Sequence, residues 1–519
     1  MLKWALGAGQ VALLDRFGLL RSGVARAASP DAPSRICVIY VPGGFRPQYH
    51  FWPMEDADVE FCVPTPGGFA SEPIFFRKEQ LVDLGPANGA YKPLRVWQSW
   101  DPMNPANRAA GFSPSMYGYQ HFGLADQVAV LHGVDQGTAD HASAFVSAMC
   151  GVASPDFRSP ALHSVVANHL HSRFASTRPL PFVVVTSERG MPVAQGLPSH
   201  AAPVRVPSIE ALTPQMSDDS TKNPWWTDLN ARTERPETNA KGDALGSMLK
   251  TTTLEQHTLN QPGKYLGRSN KNVDGFLEGL HGSLRSVSRV LAADVVSVLE
   301  AQKGIDSLIS NRPAYLANYL PTPFSYTFGS ANFHMTGLEP RFDMALRLLK
   351  SDLTSAVHIG LSPLDFDTHS GLGHAFSCAH GRAQMDLVAR FLGELKASPA
   401  PGLPGKTLLD DTLVVVMSEF GRSWASPSGT SGFNLPDDHH PYTSVMYAGG
   451  NVAGNRQVGS YDRRGFGVPA TIVEENNQPA QRVPRSADAV ATAMRIMGLD
   501  FHEFFIPGGY GEVVGLRKS

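Results

Sequence analysis

The stretch Leu413-Val414-Val415-Val416-Met417-Ser418-Glu419-Phe420-Gly421-Arg422 decides the fold class. Five apolar residues run without alternation and stop at a polar Ser-Glu pair. A continuous apolar run of this length predicts a strand covered on both faces, as in a parallel or mostly parallel sheet between helices. The pattern recurs outward along the chain. Ile36 to Val41 ends at Pro42-Gly43-Gly44, Val128 to Leu131 at His132-Gly133, Phe182 to Thr186 at Ser187-Glu188, and Ala356 to Leu361 at Ser362-Pro363.

Helical patterns lie between these runs. Leu277, Leu280, Leu284, Val287, Leu291, Val295 and Val298 recur at three- and four-residue steps and form one apolar stripe. A second pattern runs from about Arg382 through Leu387, Val388, Phe391 and Leu392 to Leu395. A third covers Ala487 to Met497, behind Pro484 and a capping Ser486. Strands alternating with helices give the α/β class, with a mostly parallel central sheet covered by helices on both faces. Residues 51–118, rich in Pro, Gly, Trp and Tyr, break the alternation, as do the polar residues 188–270. Both read as large surface insertions on a single domain spanning residues 34–515.

Composition narrows the function classes. The chain has 519 residues, 42% of them hydrophobic, which excludes wholesale disorder. A net charge of −3 and the lack of any Lys/Arg-dense stretch argue against a nucleic-acid partner. Val41-Pro42-Gly43-Gly44 is no dinucleotide fingerprint, which sets an oxidoreductase aside. The four cysteines, Cys37, Cys62, Cys150 and Cys378, show no C-x-x-C spacing, which argues against a thiolate zinc site or a redox motif. They are either buried thiols or include one Cys37–Cys62 disulfide. At the N-terminus, Lys3, the apolar run from Trp4 to Leu14 and Ala25-Arg26-Ala27-Ala28 read as an export signal over residues 1–28. The apolar run is too short to span a bilayer, so the mature chain is expected to carry no transmembrane segment. The other reading is an amphipathic first helix that stays attached.

Ligands of a covered parallel sheet bind beyond the carboxyl ends of its strands, so the polar residues after each run are the ones to inspect. They are Asp365-Phe366-Asp367-Thr368-His369, with His374 and His380 behind them, then Ser418-Glu419-Phe420-Gly421-Arg422, then Asp437-Asp438-His439-His440-Pro441. Gathered carboxylates and imidazoles suit divalent ions such as zinc or manganese, and acid–base work near neutral pH. Singly, an Asp-x-His is more often a solvated turn, and a Glu after a strand only a helix N-terminal charge. Together they predict a metal or catalytic site.

Those motifs, with Asp410-Asp411-Thr412 ahead of the first run, Ala448-Gly449-Gly450, and Val483-Pro484 to Met497-Gly498-Leu499-Asp500, resemble the bacterial domain-of-unknown-function family 1501. The resemblance implies the alkaline-phosphatase-like fold, shared with sulfatases and cofactor-independent phosphoglycerate mutases. It also implies export to the periplasm or beyond, by the twin-arginine route. Leu2 to Gly9 is similar to the part of such a signal that follows the arginine pair. Carried over residue by residue, Asp367 (or Asp365) and His369 fit the first metal ligands, and His439 or His440 fits the last. Glu419-Phe420 stands where an Asp-His pair is expected, keeping a carboxylate and losing an imidazole. The first strand delivers no Asp, since Pro42-Gly43-Gly44-Phe45-Arg46 follows it.

His141, in Asp140-His141-Ala142-Ser143-Ala144, falls at the nucleophile position, with Ser143 a poorer fit. It is equally a candidate ligand. Arg422 is either a fork-shaped clamp for an anionic phosphate or sulfate, or a salt-bridge partner of Glu419 or Asp438. The expectation is an exported metal-dependent hydrolase or transferase acting on a phosphate or sulfate ester, with zinc, manganese or calcium as its ion. The alternative is a catalytically degenerate exported envelope or assembly protein that binds an ion or a glycan.

Overall fold

The structure is a computed structural model that describes residues 32–45, 51, 81–87, 89–97, 117–152, 160–174, 177–185, 197–209, 295–302, 325–328, 331–334, 338–361, 371–422, 439–462, 465–500 and 509–518. The export signal, most of both insertions, the helical pattern from Leu277 to Leu291, and Asp365, Asp367 and His369 lie outside the described residues.

An eight-stranded mixed sheet organises the chain. Its strands are β1 (Arg35–Tyr40), β2 (Val128–Asp135), β3 (Phe182–Val184), β4 (Val204–Arg205), β5 (Ala356–Gly360), β6 (Thr412–Met417), β9 (Tyr442–Gly449) and β10 (Arg456–Val458). Two-residue strands β7 (Gly421–Arg422) and β8 (His439–His440) form a separate small ribbon. The spatial order in the large sheet is β10-β2-β9-β6-β1-β5-β3-β4. The run β6-β1-β5-β3-β4 is parallel throughout, as is β10 on β2. Only β9 runs against its neighbours, β6 and β2. The sheet is thus mostly parallel, as expected, with one antiparallel strand that the sequence pattern did not separate from the rest.

Continuous apolar runs are needed because both faces of the sheet are covered. Cys37, Ile39, Val414 and Val416 point into one apolar cluster, where they meet Phe342 and Leu346 of helix α3 (Glu339–Lys350) and Leu387 and Phe391 of helix α4 (Gly371–Ala397). Ile36, Val38, Leu413 and Val415 point into a second cluster. It is closed by Met149 of α1 (His141–Cys150), Val166 of α2 (Leu162–Phe174) and Met494 of α5 (Ser486–Ile496). Each such side chain contributes about 1.5–3 kcal/mol by leaving water, so neither face tolerates a polar swap.

Several boundaries differ from the sequence reading, most of all at α4, which starts at Gly371 rather than near Arg382. β2 passes through His132-Gly133 and ends at Asp135. Gly133 permits this with φ +70°, where an added Cβ would sit 2.4 Å from the Ser460 carbonyl oxygen. Helix α5 starts at Ser486 rather than being capped by it, and the Asp488 carboxylate takes the Arg485 N–H at 2.8 Å. Cys37 and Cys150 are buried and free, and burial pushes both thiols up. Among the described residues no helix is long and apolar enough to cross a membrane.

The amino edge of the parallel strands is pinned by buried charge. Arg35 is fully buried and pairs with Asp411 and Asp352. Arg178 reaches Asp352 at 2.7 Å and the Ser34 carbonyl at 2.6 Å.

Candidate functional site

β1, β2, β5 and β6 all end on the same edge of the sheet, and antiparallel β9 begins there. The loops at this edge carry Gly43-Gly44, Ser418 to Arg422, His141 and His439-His440.

Glu419 is the hub. Its side chain is 1% exposed, which for a carboxylate demands hydrogen-bond partners. Oε1 accepts the Gly43 N–H at 2.6 Å, and Oε2 accepts the Ser418 hydroxyl at 2.9 Å. The Gly44 N–H donates to Ser418 Oγ at 3.2 Å. Gly43 and Gly44 have φ of +95° and +88°, a pair of left-handed residues whose successive N–H groups donate to Glu419 and to Ser418. A Cβ at Gly44 would lie 2.7 Å from the Phe420 ring. The first strand therefore delivers two backbone donors where the resemblance implies a carboxylate.

His141 opens α1 behind its cap Asp140, whose carboxylate accepts the Ser143 N–H at 2.9 Å. Its Nδ1 lies 3.0 Å from Glu419 Oε1. A carboxylate held by two other donors accepts here, which puts the proton on Nδ1 and the lone pair on Nε2; the tautomer is assigned from its partner. His439 Nδ1 lies 2.8 Å from the Ala139 carbonyl oxygen, which can only accept, so the same tautomer follows. The two imidazoles touch, with ring centroids 4.6 Å apart and planes at 81°. Phe420 packs against both, at 4.8 Å from His141 and 4.4 Å from His439.

The alternation of side chains along β8 separates the two adjacent histidines. His439 joins His141 and Phe420, whereas His440 packs on Tyr442 at 5.4 Å and Phe466 at 5.2 Å. Burial lowers the His440 pKa, partly offset by the Tyr442 backbone and by Asp462 and Asp135. Arg422 is buried, and its Nε donates to the Gly43 carbonyl at 2.7 Å. Its guanidinium lies 5.5 Å from the centre of the Phe420 ring.

Thus His141, Glu419, Arg422 and His439 form one cluster, and His440 stands on its far side. β5 delivers Leu361 to this edge, and the residues that follow it, with Asp367 and His369, lie outside the described residues. Among the described residues no group of three or more His, Cys, Asp or Glu is placed to hold a metal ion. Ser418 and the Gly43-Gly44 amides are participants to which the sequence analysis assigned no role. Their signal was a Gly-Gly pair directly after a buried strand. A cleft of about 440 Å³ lined by Asp126, Asn455, Arg456 and Lys518 lies at the opposite edge of the sheet and shares no residue with the cluster.

Fold and cluster together define a mixed α/β protein with a histidine–carboxylate site at the carboxyl edge of its sheet. Residues 338–513 match the family model described as "Protein of unknown function (DUF1501)", which supports that family for this part of the chain. Glu419, Arg422, His439 and His440 fall inside the matched span; β1, its glycine turn and His141 precede it. No curated protein and no solved structure matches the chain.

Proposed function

We propose that the protein is an exported, metal-dependent hydrolase or transferase acting on a phosphate or sulfate ester, with the alkaline-phosphatase-like fold. The observation that carries this reading is the buried Glu419 carboxylate on His141 Nδ1. A carboxylate so placed fixes the tautomer and raises the basicity of Nε2, which can then take a proton, a phosphoryl group or a metal ion. Arg422, buried beside the cluster, would meet the anionic ester. Asp367 and His369 would join His439 in holding a divalent ion such as zinc, manganese or calcium. That ion would supply Lewis-acid stabilisation of the developing charge and a nucleophile at neutral pH.

The test is elemental analysis of the purified full chain, followed by a screen of phosphate and sulfate esters. About one equivalent of metal and turnover that His141→Ala abolishes support the reading. A folded chain that binds no zinc, manganese or calcium refutes it. One observation favours a second reading, a catalytically degenerate envelope protein that binds an ion or a glycan. The glycine turn after β1 spends its N–H groups on Ser418 and Glu419 and offers no acid of its own. Metal binding without turnover on any ester would favour that reading.

A further inference from the structure

Resting on the metal-dependent reading above, the geometry points to a two-imidazole metal site in which His141 and His439 are ligands through Nε2 and Glu419 is the carboxylate that positions His141. Of the two roles the sequence left open for His141, nucleophile or ligand, this takes the second, and it turns Glu419 from a ligand into an orienting group.

Three observations carry the inference. First, both rings are fixed through Nδ1, one by a buried carboxylate at 3.0 Å and one by a backbone carbonyl at 2.8 Å. Metal-binding histidines are held in this way, with the outer nitrogen tied to a carboxylate or carbonyl and the other turned to the ion. Second, the spacing of the rings fits. Zinc–nitrogen bonds of about 2.0–2.1 Å at angles of about 90–109° place two ring centroids roughly 4.5–5.2 Å apart. The observed separation is 4.6 Å. Third, Glu419 already accepts from Gly43, Ser418 and His141, each at 3.0 Å or less. Such a carboxylate is an orienting group, and its turn away from these donors toward an ion would strand two buried donors at a cost of about 1–3 kcal/mol each.

The donor set is imidazole nitrogen, which selects a borderline ion of the zinc or cobalt kind over calcium. Asp367 and His369, which the sequence offers as ligands, lie outside the described residues.

The test is cobalt(II) titration of the full chain, followed by its visible ligand-field bands, with zinc stoichiometry by elemental analysis. The wild type is expected to bind one equivalent. His141→Ala and His439→Ala are each expected to weaken binding at least about 100-fold, and Glu419→Gln about 10–100-fold without changing stoichiometry. His440→Ala, on the other side of the strand, keeps wild-type affinity. A His141→Ala protein with wild-type affinity overturns the inference and leaves the metal-dependent function standing. A wild type that binds neither ion overturns both. X-ray absorption on the zinc-loaded wild type needs no variant: two or more imidazoles in the first shell support the site, and fewer overturn it.

Discussion

His163 and His358 meet inside the protein, and their burial makes stability depend on pH in a defined direction. His163 Nε2 and His358 Nδ1 are 3.0 Å apart, and the residues are 0% and 1% exposed. Phe182 stacks on His163 at 5.1 Å and Tyr40 on His358 at 6.3 Å. Burial drives His358 down to about 3, and burial together with its partner drives His163 well below its ordinary value. Both are neutral in the folded chain, whereas an unfolded histidine titrates near 6.5.

Below that value the unfolded chain takes up protons that the folded chain refuses. Stability is therefore fully present above about pH 7 and is lost as pH falls from 6.5 toward 3. For His358 alone, the loss from pH 7.5 to pH 5 is about 2 kcal/mol, at 1.36 kcal/mol per pH unit below 6.5. The assay is urea unfolding at several pH values for the wild type and His358→Leu. At pH 7.5 the variant should be less stable by about 1–3 kcal/mol, because His163 Nε2 loses its partner. Between pH 7.5 and pH 5, however, it should lose about 2 kcal/mol less than the wild type does. Parallel stability curves for the two proteins would refute the assignment of a neutral buried pair.

Three further outcomes are expected. Gly421→Ala places a Cβ 1.9 Å from the Tyr442 carbonyl oxygen, so it should cost about 3 kcal/mol or more in a urea midpoint measurement. Asp411→Ala strips the fully buried Arg35 of one of its carboxylates and should cost about 3–5 kcal/mol by the same assay. Ser418→Ala removes a donor to Glu419 and the acceptor of Gly44 N–H. It should cost about 1–3 kcal/mol and weaken zinc binding in the titration described above.

The sheet was legible because a strand with two covered faces has no polar position, so Leu413 to Met417 and Ile36 to Val41 stand out at once. Val445-Met446-Tyr447 is visible in the sequence as an apolar run. Its antiparallel sense was not, since direction is set by connections rather than by pattern. β10 is three residues long and too short to carry a period. At the site, residue types were legible and roles were not. His439 and His440 are chemically identical on paper, and only the pleat assigns one to His141 and the other to Tyr442. Glu419 read as a ligand because two of its donors, the Gly43 amide and the Ser418 hydroxyl, leave no signature of charge. His358 was hidden in plain view within Ala356 to Leu361, where a neutral imidazole passes as one more strand residue. Arg35 sat unremarked at the head of β1, although an arginine beside a fully buried run must find carboxylates to survive there.

The glycine turn after β1 also bears on how the chain is made. The Gly43 N–H finds its acceptor in Glu419, 376 residues further on. β1 itself lies between β6 and β5, both encoded in the last third of the chain. At synthesis rates of roughly 5–20 residues per second, the interval between the two sides of this contact is about 20–75 s. Until Ala356–Gly360 emerges, the apolar segment from Ile36 to Val41 has neither of the strands that flank it in the finished sheet. The nascent chain therefore carries a fully apolar strand, open to pairing with another copy of itself, until its own C-terminal half arrives.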